Sequence, residues 1–317
     1  MLSQVKGAFM RENKKRRNPF LFAPVLLLPT ILILGSVSLI FSEPFKNLTF
    51  YLIGGVIFLL AFGVPITVFF RLRGKKGLSA SLLPMGFRGI VLSFSAAFLM
   101  MSQSVVCRSL LMEGFFDHRI YTMYGLSFEV GVDSAEKIFG AILVLALIPA
   151  IMEGILFRGI FMYEYRFAGV FLSLLFSSVM CAMTGVTFSD SLLYLLNALV
   201  LSVTAFVTGN FISSVLAHFI YLVYSLFWEK YLLFLALEIE TRLVLFFLLL
   251  GVWITAAMIF CDNAERILRK RGERENPRPP RFTLKQSFLV FYDIISAPLL
   301  WADVLVFSAF AVLHLFF

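Results

Sequence analysis

"IPAIMEGILFRGIF", residues 148–161, decides how this chain is read. Nearly every side chain in it suits a bilayer, yet Glu153 and Arg158 stand five residues apart inside it. An ionisable side chain near the bilayer centre costs on the order of 3 kcal/mol by insertion scales, so each needs a partner, a wet cavity or a function. Five residues along an α-helix turn through about 140°. Glu153 and Arg158 are therefore expected on different faces, without direct pairing. Arg158 is expected to snorkel to the nearer membrane edge, whereas Glu153 has no such escape and is expected to face the interior of a helix bundle.

The rest of the chain supplies that bundle. It is 60% hydrophobic and 15% charged over 317 residues, with 38 Phe. Apolar runs of bilayer-crossing length recur, and candidate spans can be drawn at 20–41, 49–70, 89–111, 138–157, 170–188, 191–208, 211–228, 243–261 and 297–317. The expected fold is an all-α polytopic transmembrane bundle of eight or nine spans. The first run is not followed by a small-residue cleavage site, so it is expected to stay as an anchor. The organisation expected is a basic tail with spans 1–3 (residues 1–137), a core of spans 4–7 (138–228), and C-terminal spans joined by a basic linker (229–317, linker 262–285).

Charge orients the spans. Segments 1–19, 71–88 and 262–285 carry 6, 5 and 8 Lys or Arg, against 1, 2 and 2 in 42–48, 112–137 and 229–242. The basic set is expected to be cytoplasmic, with the N-terminus inside. The loop 112–137, with Asp117, Glu129, Asp133 and Glu136, is expected to lie outside and solvated. The net charge of +8 thus reads as a topology signal in the plasma membrane, not as a nucleic-acid site. Cys107, Cys181 and Cys261 offer neither a disulfide framework nor a ligand spacing. No metal or cofactor is expected, since zinc wants three or four protein ligands. His218 is the partner expected for Glu153. Asn197, Thr184 and Asn210 read as helix–helix hydrogen bonds.

The residues around Glu153 resemble the signature of the CPBP family, the CAAX prenyl endopeptidase and bacteriocin-processing membrane proteases also labelled Abi. That family's first motif is EExxxR followed by Gly, and "EGILFRG" is similar to it. "VTGNFISSVLAHFIYLVYSL" resembles the helices carrying the HxxxN motif, although Gly209 and His218 are nine apart where eight is usual. "FLSLLFSSVMCAMTGV" resembles the helix of FxxxH, with Ser177 and Ser178 as its small polar pair. The resemblance implies that Glu153 activates the water, that Arg158 is the motif's structural arginine and that His218 is its second histidine. The departures are Gly154 for the second Glu, Cys181 and Gly185 for the Phe and His of FxxxH, and Leu222 for the Asn of HxxxN. Thr184, Tyr221 or Tyr224 would replace the lost donors only after a helix rotation. The expectation is a CAAX-endopeptidase-like protease homologue with impaired catalysis. The alternative is a non-catalytic membrane protein of the same fold, binding a peptide, a lipid or a partner protein. A transporter is disfavoured, because no internal repeat is visible.

Overall fold

A computed structural model describes residues 19–41, 43–73, 85–110, 120–131, 134–238, 242–272 and 284–316. In chain order these form α1 (Pro19–Ile40), α2 (Leu48–Arg73), α3 (Phe87–Leu110), strands β1 (Ile120–Met123) and β2 (Leu126–Glu129), and a long α4 (Ala135–Tyr165). There follow α5 (Val170–Ala182), α6 (Phe188–Thr208), α7 (Phe211–Phe227), α8 (Glu229–Glu238), α9 (Arg242–Gly272), α10 (Leu284–Ile295) and α11 (Pro298–Leu313). The protein is an all-α polytopic bundle carrying one small hairpin.

Among the described residues, α1, α2, α3, α4, α6 and α9 are long and apolar enough to cross a membrane. The bent pair Ser287–Ile295 and Pro298–Leu313 adds a seventh crossing if counted as one span. The last expected span, 297–317, holds α11, a helix of 16 residues that follows α10 after a 59° bend. Two other expected spans fall short. Helix α7 has 17 residues, about 26 Å at 1.5 Å per residue, against a hydrocarbon core of ~30 Å. Its start is set by Gly209, left-handed at φ 66°, and by Asn210, whose side chain accepts from the Ile212 N–H. Helix α5 ends in a 3₁₀ turn over Met183–Gly185, after which Val186 takes φ 63°. The segment 229–242, expected as a loop, holds α8. Of the basic linker 262–285, residues 262–272 continue α9 and residues 273–283 lie outside the described residues, as do Asp117 and Asp133.

Helix α4 is central and irregular. Two stretches, Ile142–Leu147 and Gly154–Phe161, are π-helical. The first has a local cause: Pro149 offers no N–H and its ring crowds the carbonyl four residues back, so the preceding turn widens. Helices α2, α5 and α7 pack around α4 and bury Ala150, Leu156, Phe157, Ile160 and Phe161. At the periphery α9 leaves Leu243, Val244, Phe247 and Met258 more than 60% exposed, the apolar surface that a bilayer covers.

The segment expected as a solvated loop behaves differently. Residues 120–129 form a hairpin paired Ile120↔Glu129, Tyr121↔Phe128, Thr122↔Ser127 and Met123↔Leu126. Tyr124 and Gly125 turn it, both with positive φ, 53° and 76°, as a two-residue type I′ turn requires. Tyr121, Met123, Leu126 and Phe128 are buried in the core. Phe45, between α1 and α2, holds the second strand through Phe45 N to Ser127 O and Glu129 N to Phe45 O, each 2.9 Å. The hairpin is thus a plug set into the bundle, because only burial gives its apolar alternation a partner surface.

Candidate functional site

Glu153 is 4% exposed. The π-helical bonding that begins at Gly154 changes the helix period, and i→i+5 bonding sets residue i+5 over residue i. Arg158 Nη1 accordingly donates to Glu153 Oε2 at 3.3 Å. The expectation that the two sit on different faces fails, because it assumed 3.6 residues per turn where the helix does not keep it. Snorkelling fails for the same reason, since the Arg158 side chain is 1% exposed. The Ser177 hydroxyl, on α5, donates to Phe157 O at 2.8 Å and ties this widened stretch to the next helix.

Three further groups converge on the carboxylate. The Tyr124 hydroxyl, carried in by the hairpin, donates to Glu153 Oε1. The Cys181 thiol lies 3.5 Å from Oε2. His218 Nδ1 lies 3.7 Å from Oε2, in contact but too far for a hydrogen bond, with Tyr221 stacked beside the imidazole at 6.4 Å between ring centroids. Glu153 and His218 are brought together, as the sequence led one to expect. Among the described residues no group of three or more His, Cys, Asp or Glu is arranged to hold a metal ion.

The degenerate positions are filled, not empty. A Cβ on Gly185 would lie 2.8 Å from Tyr194 Cδ2 and 3.1 Å from the Ser191 backbone nitrogen, so the room a side chain needs there belongs to α6. Tyr194 packs in turn against the Tyr124 ring, 5.9 Å between centroids. A Cβ on Gly154 would run into Val215 of α7. Leu222 is 2% exposed within the core. Thr184 gives its hydroxyl to the Cys181 carbonyl at 2.7 Å. Asn197 accepts from Gln103 Nε2 at 2.6 Å and joins α6 to α3, while Asn210 serves as the cap of α7.

Arg158 also borders an opening in the packing. A cavity of about 180 Å³ lies between α4 and the turn joining α6 to α7, lined among others by Arg158, Met162, Arg166, Phe206, Asn210 and Phe211.

Two buried polar residues escaped the sequence reading. Tyr124 had a usable signal in "IYTMYGLSFE", alternating side chains around a Tyr-Gly turn. Asp303 is a charge inside the last apolar run; it is 0% exposed, and neither carboxylate oxygen has a hydrogen-bond partner among the described residues.

Residues 135–224, less than a third of the chain, match the family model described as type II CAAX prenyl endopeptidase Rce1-like. No curated protein and no solved structure matches the chain. The matched stretch runs from the start of α4 into α7 and contains Glu153, Arg158, Cys181, Gly185 and His218, so the centre of this bundle is similar to the type II CAAX prenyl endopeptidase family over that stretch.

Proposed function

We propose that this chain is a CPBP-type membrane protein that does not turn over peptide bonds and instead binds a peptide or membrane-protein partner through the retained fold. The observation that carries the reading is the state of Glu153. A general base needs a lone pair within reach of a water, but Glu153 is 4% exposed, with Tyr124 and Arg158 donating to its two oxygens and the Cys181 thiol and His218 imidazole crowding Oε2. Oxyanion donors are also missing. Loss of one such donor costs on the order of a hundredfold in rate, and here Gly185 and Leu222 stand in two donor positions of the family pattern. Were the site active, Glu153 would serve as the base, His218 as orienter or oxyanion donor, and Arg158 as the positioning residue. We place the chain in the plasma membrane, and the basic loops support an orientation with the N-terminus in the cytoplasm.

The test is hydrolysis of prenylated and unprenylated fluorogenic peptides by the purified full chain and by Glu153→Gln. The expected result is no cleavage by the full chain above the level of the variant. Cleavage that Glu153→Gln removes overturns the proposal. The pair Gly185→His and Leu222→Asn is expected to stay inactive, because Tyr194 occupies the space of a side chain at 185; adding Tyr194→Ala is the change that clears it.

A further inference from the structure

The Arg158 guanidinium is used on one side only. Nη1 donates to Glu153, whereas Nε and Nη2, both buried, have no hydrogen-bond partner among the described residues. These two N–H groups are not scattered. In a planar guanidinium the Nε–H and the Nη2–H lie side by side along the edge facing away from Cδ, so they form one fork whose spacing matches two oxygens of a single oxyanion. Leaving two charged donors buried and unpaired costs several kcal/mol, and a chain that carries them has a use for the edge. Arg158 also lines the cavity of about 180 Å³ described above.

We propose that this cavity binds a phosphate group through the Nε/Nη2 edge of Arg158, supplied either by a lipid headgroup or as free phosphate. Three features select this chemistry. No acidic side chain is among the residues lining the cavity, and a second guanidinium, Arg166, borders it, stacked 3.7 Å from the Tyr163 ring centroid. The volume exceeds the ~30 Å³ that one water takes, and the two non-bridging oxygens of a phosphodiester, or those of free phosphate, match the spacing of the fork. Met162, Phe206 and Phe211 give the cavity apolar walls, which suit the glycerol and first methylenes of a lipid. The site does not depend on whether Glu153 turns over peptide, since only Nη1 serves the carboxylate.

The experiment is thermal melting of the purified full chain in a neutral detergent, titrated separately with inorganic phosphate, dihexanoyl phosphatidylglycerol, sodium acetate and a short peptide with a free C-terminal carboxylate, all at matched ionic strength. A saturable rise in melting temperature with phosphatidylglycerol alone supports the proposal with a headgroup as the source; a rise with inorganic phosphate as well supports it with free phosphate sufficing. Arg158→Lys keeps the charge and removes the fork, and is expected to weaken the response at least tenfold. Arg166→Gln changes an exposed position without endangering the fold and is expected to weaken it several-fold. No saturable response to either phosphate probe overturns the proposal, as does an unchanged response in both variants. A response to acetate or the peptide but to neither phosphate probe also overturns it, and assigns the edge to a carboxylate.

Discussion

Glu153 and Arg158 form one ion pair with two unlike sides. The carboxylate side is crowded: Tyr124 and Arg158 donate, the Cys181 thiol and His218 imidazole press against Oε2, and Tyr194 packs on the Tyr124 ring. On the guanidinium side two buried donors have no partner among the described residues, and Arg158 lines a cavity. A bare motif would suggest the opposite, an open carboxylate waiting for water and an arginine consumed by structure. The contrast teaches that motif residues can persist while their accessibility is exchanged. The hairpin seals one half of the pair, and the π-helical turn holds both halves together.

The largest effect is expected where the pair is cut. Arg158→Met leaves a buried carboxylate with its cation removed, and breaking such a pair from one side costs about 3–5 kcal/mol. Melting of the detergent-solubilised protein should show a large drop in midpoint or loss of folded yield. The double change Glu153→Gln with Arg158→Met removes both charges and keeps an acceptor for Tyr124, so it should recover at least half of the loss. A double variant as unstable as the single one would mean that packing around Arg158, not its charge, holds this region.

A smaller effect isolates the sealed side. Tyr124→Phe keeps the ring against Phe58, Phe62 and Tyr194 and removes only the hydroxyl that donates to Glu153. A hydrogen bond to a charged group contributes about 1.5–3 kcal/mol. The expected result is a loss within that range, accompanied by faster amide exchange in residues 120–129 as the plug loosens. Unchanged exchange there would place the seal in the apolar packing of the hairpin and not in its phenol. If Tyr124→Phe costs as much as Arg158→Met, the asymmetry drawn above is wrong.

How far the sequence disclosed this arrangement depends on which physical rule each element obeys. The helices were legible because apolar runs of bilayer length have few alternatives. The meeting of Glu153 with His218 was reachable only through the family pattern, since α4 and α7 are far apart in sequence. The ion pair was misread because a π-helical turn leaves no periodic mark: "EGILFRG" looks like any α-helical run, and the widening sits where α4 packs against α5 and α7. The hairpin was misread for a different reason. Its acidic flanks, Glu129 and Glu136, suggested solvent, while the alternation of Tyr121, Met123, Leu126 and Phe128 encoded burial. Gly185 shows the limit in the other direction, since a sequence can display a missing histidine but not the Tyr194 ring that has taken its place.

The smallest expected effect tests the element that joins the two sides. Ser177 donates to the Phe157 carbonyl at 2.8 Å, in the middle of the π-helical stretch and one residue before Arg158. A carbonyl in a widened turn is poorly matched to the next N–H, and in a buried bundle it needs a donor from a neighbouring helix. Ser177→Ala removes that donor with little change of volume, at a cost of about 1 kcal/mol by the usual worth of such a bond. The informative readout is the pair energy between Glu153 and Arg158, taken from a double-mutant cycle in the wild-type background and again in the Ser177→Ala background. If Ser177 steadies the widened turn, the coupling falls in the second background, because Arg158 then drifts from the position that places Nη1 on Glu153. A coupling that does not change, alongside the same ~1 kcal/mol loss, would mean that the π-helical register is set within α4 itself and owes nothing to α5.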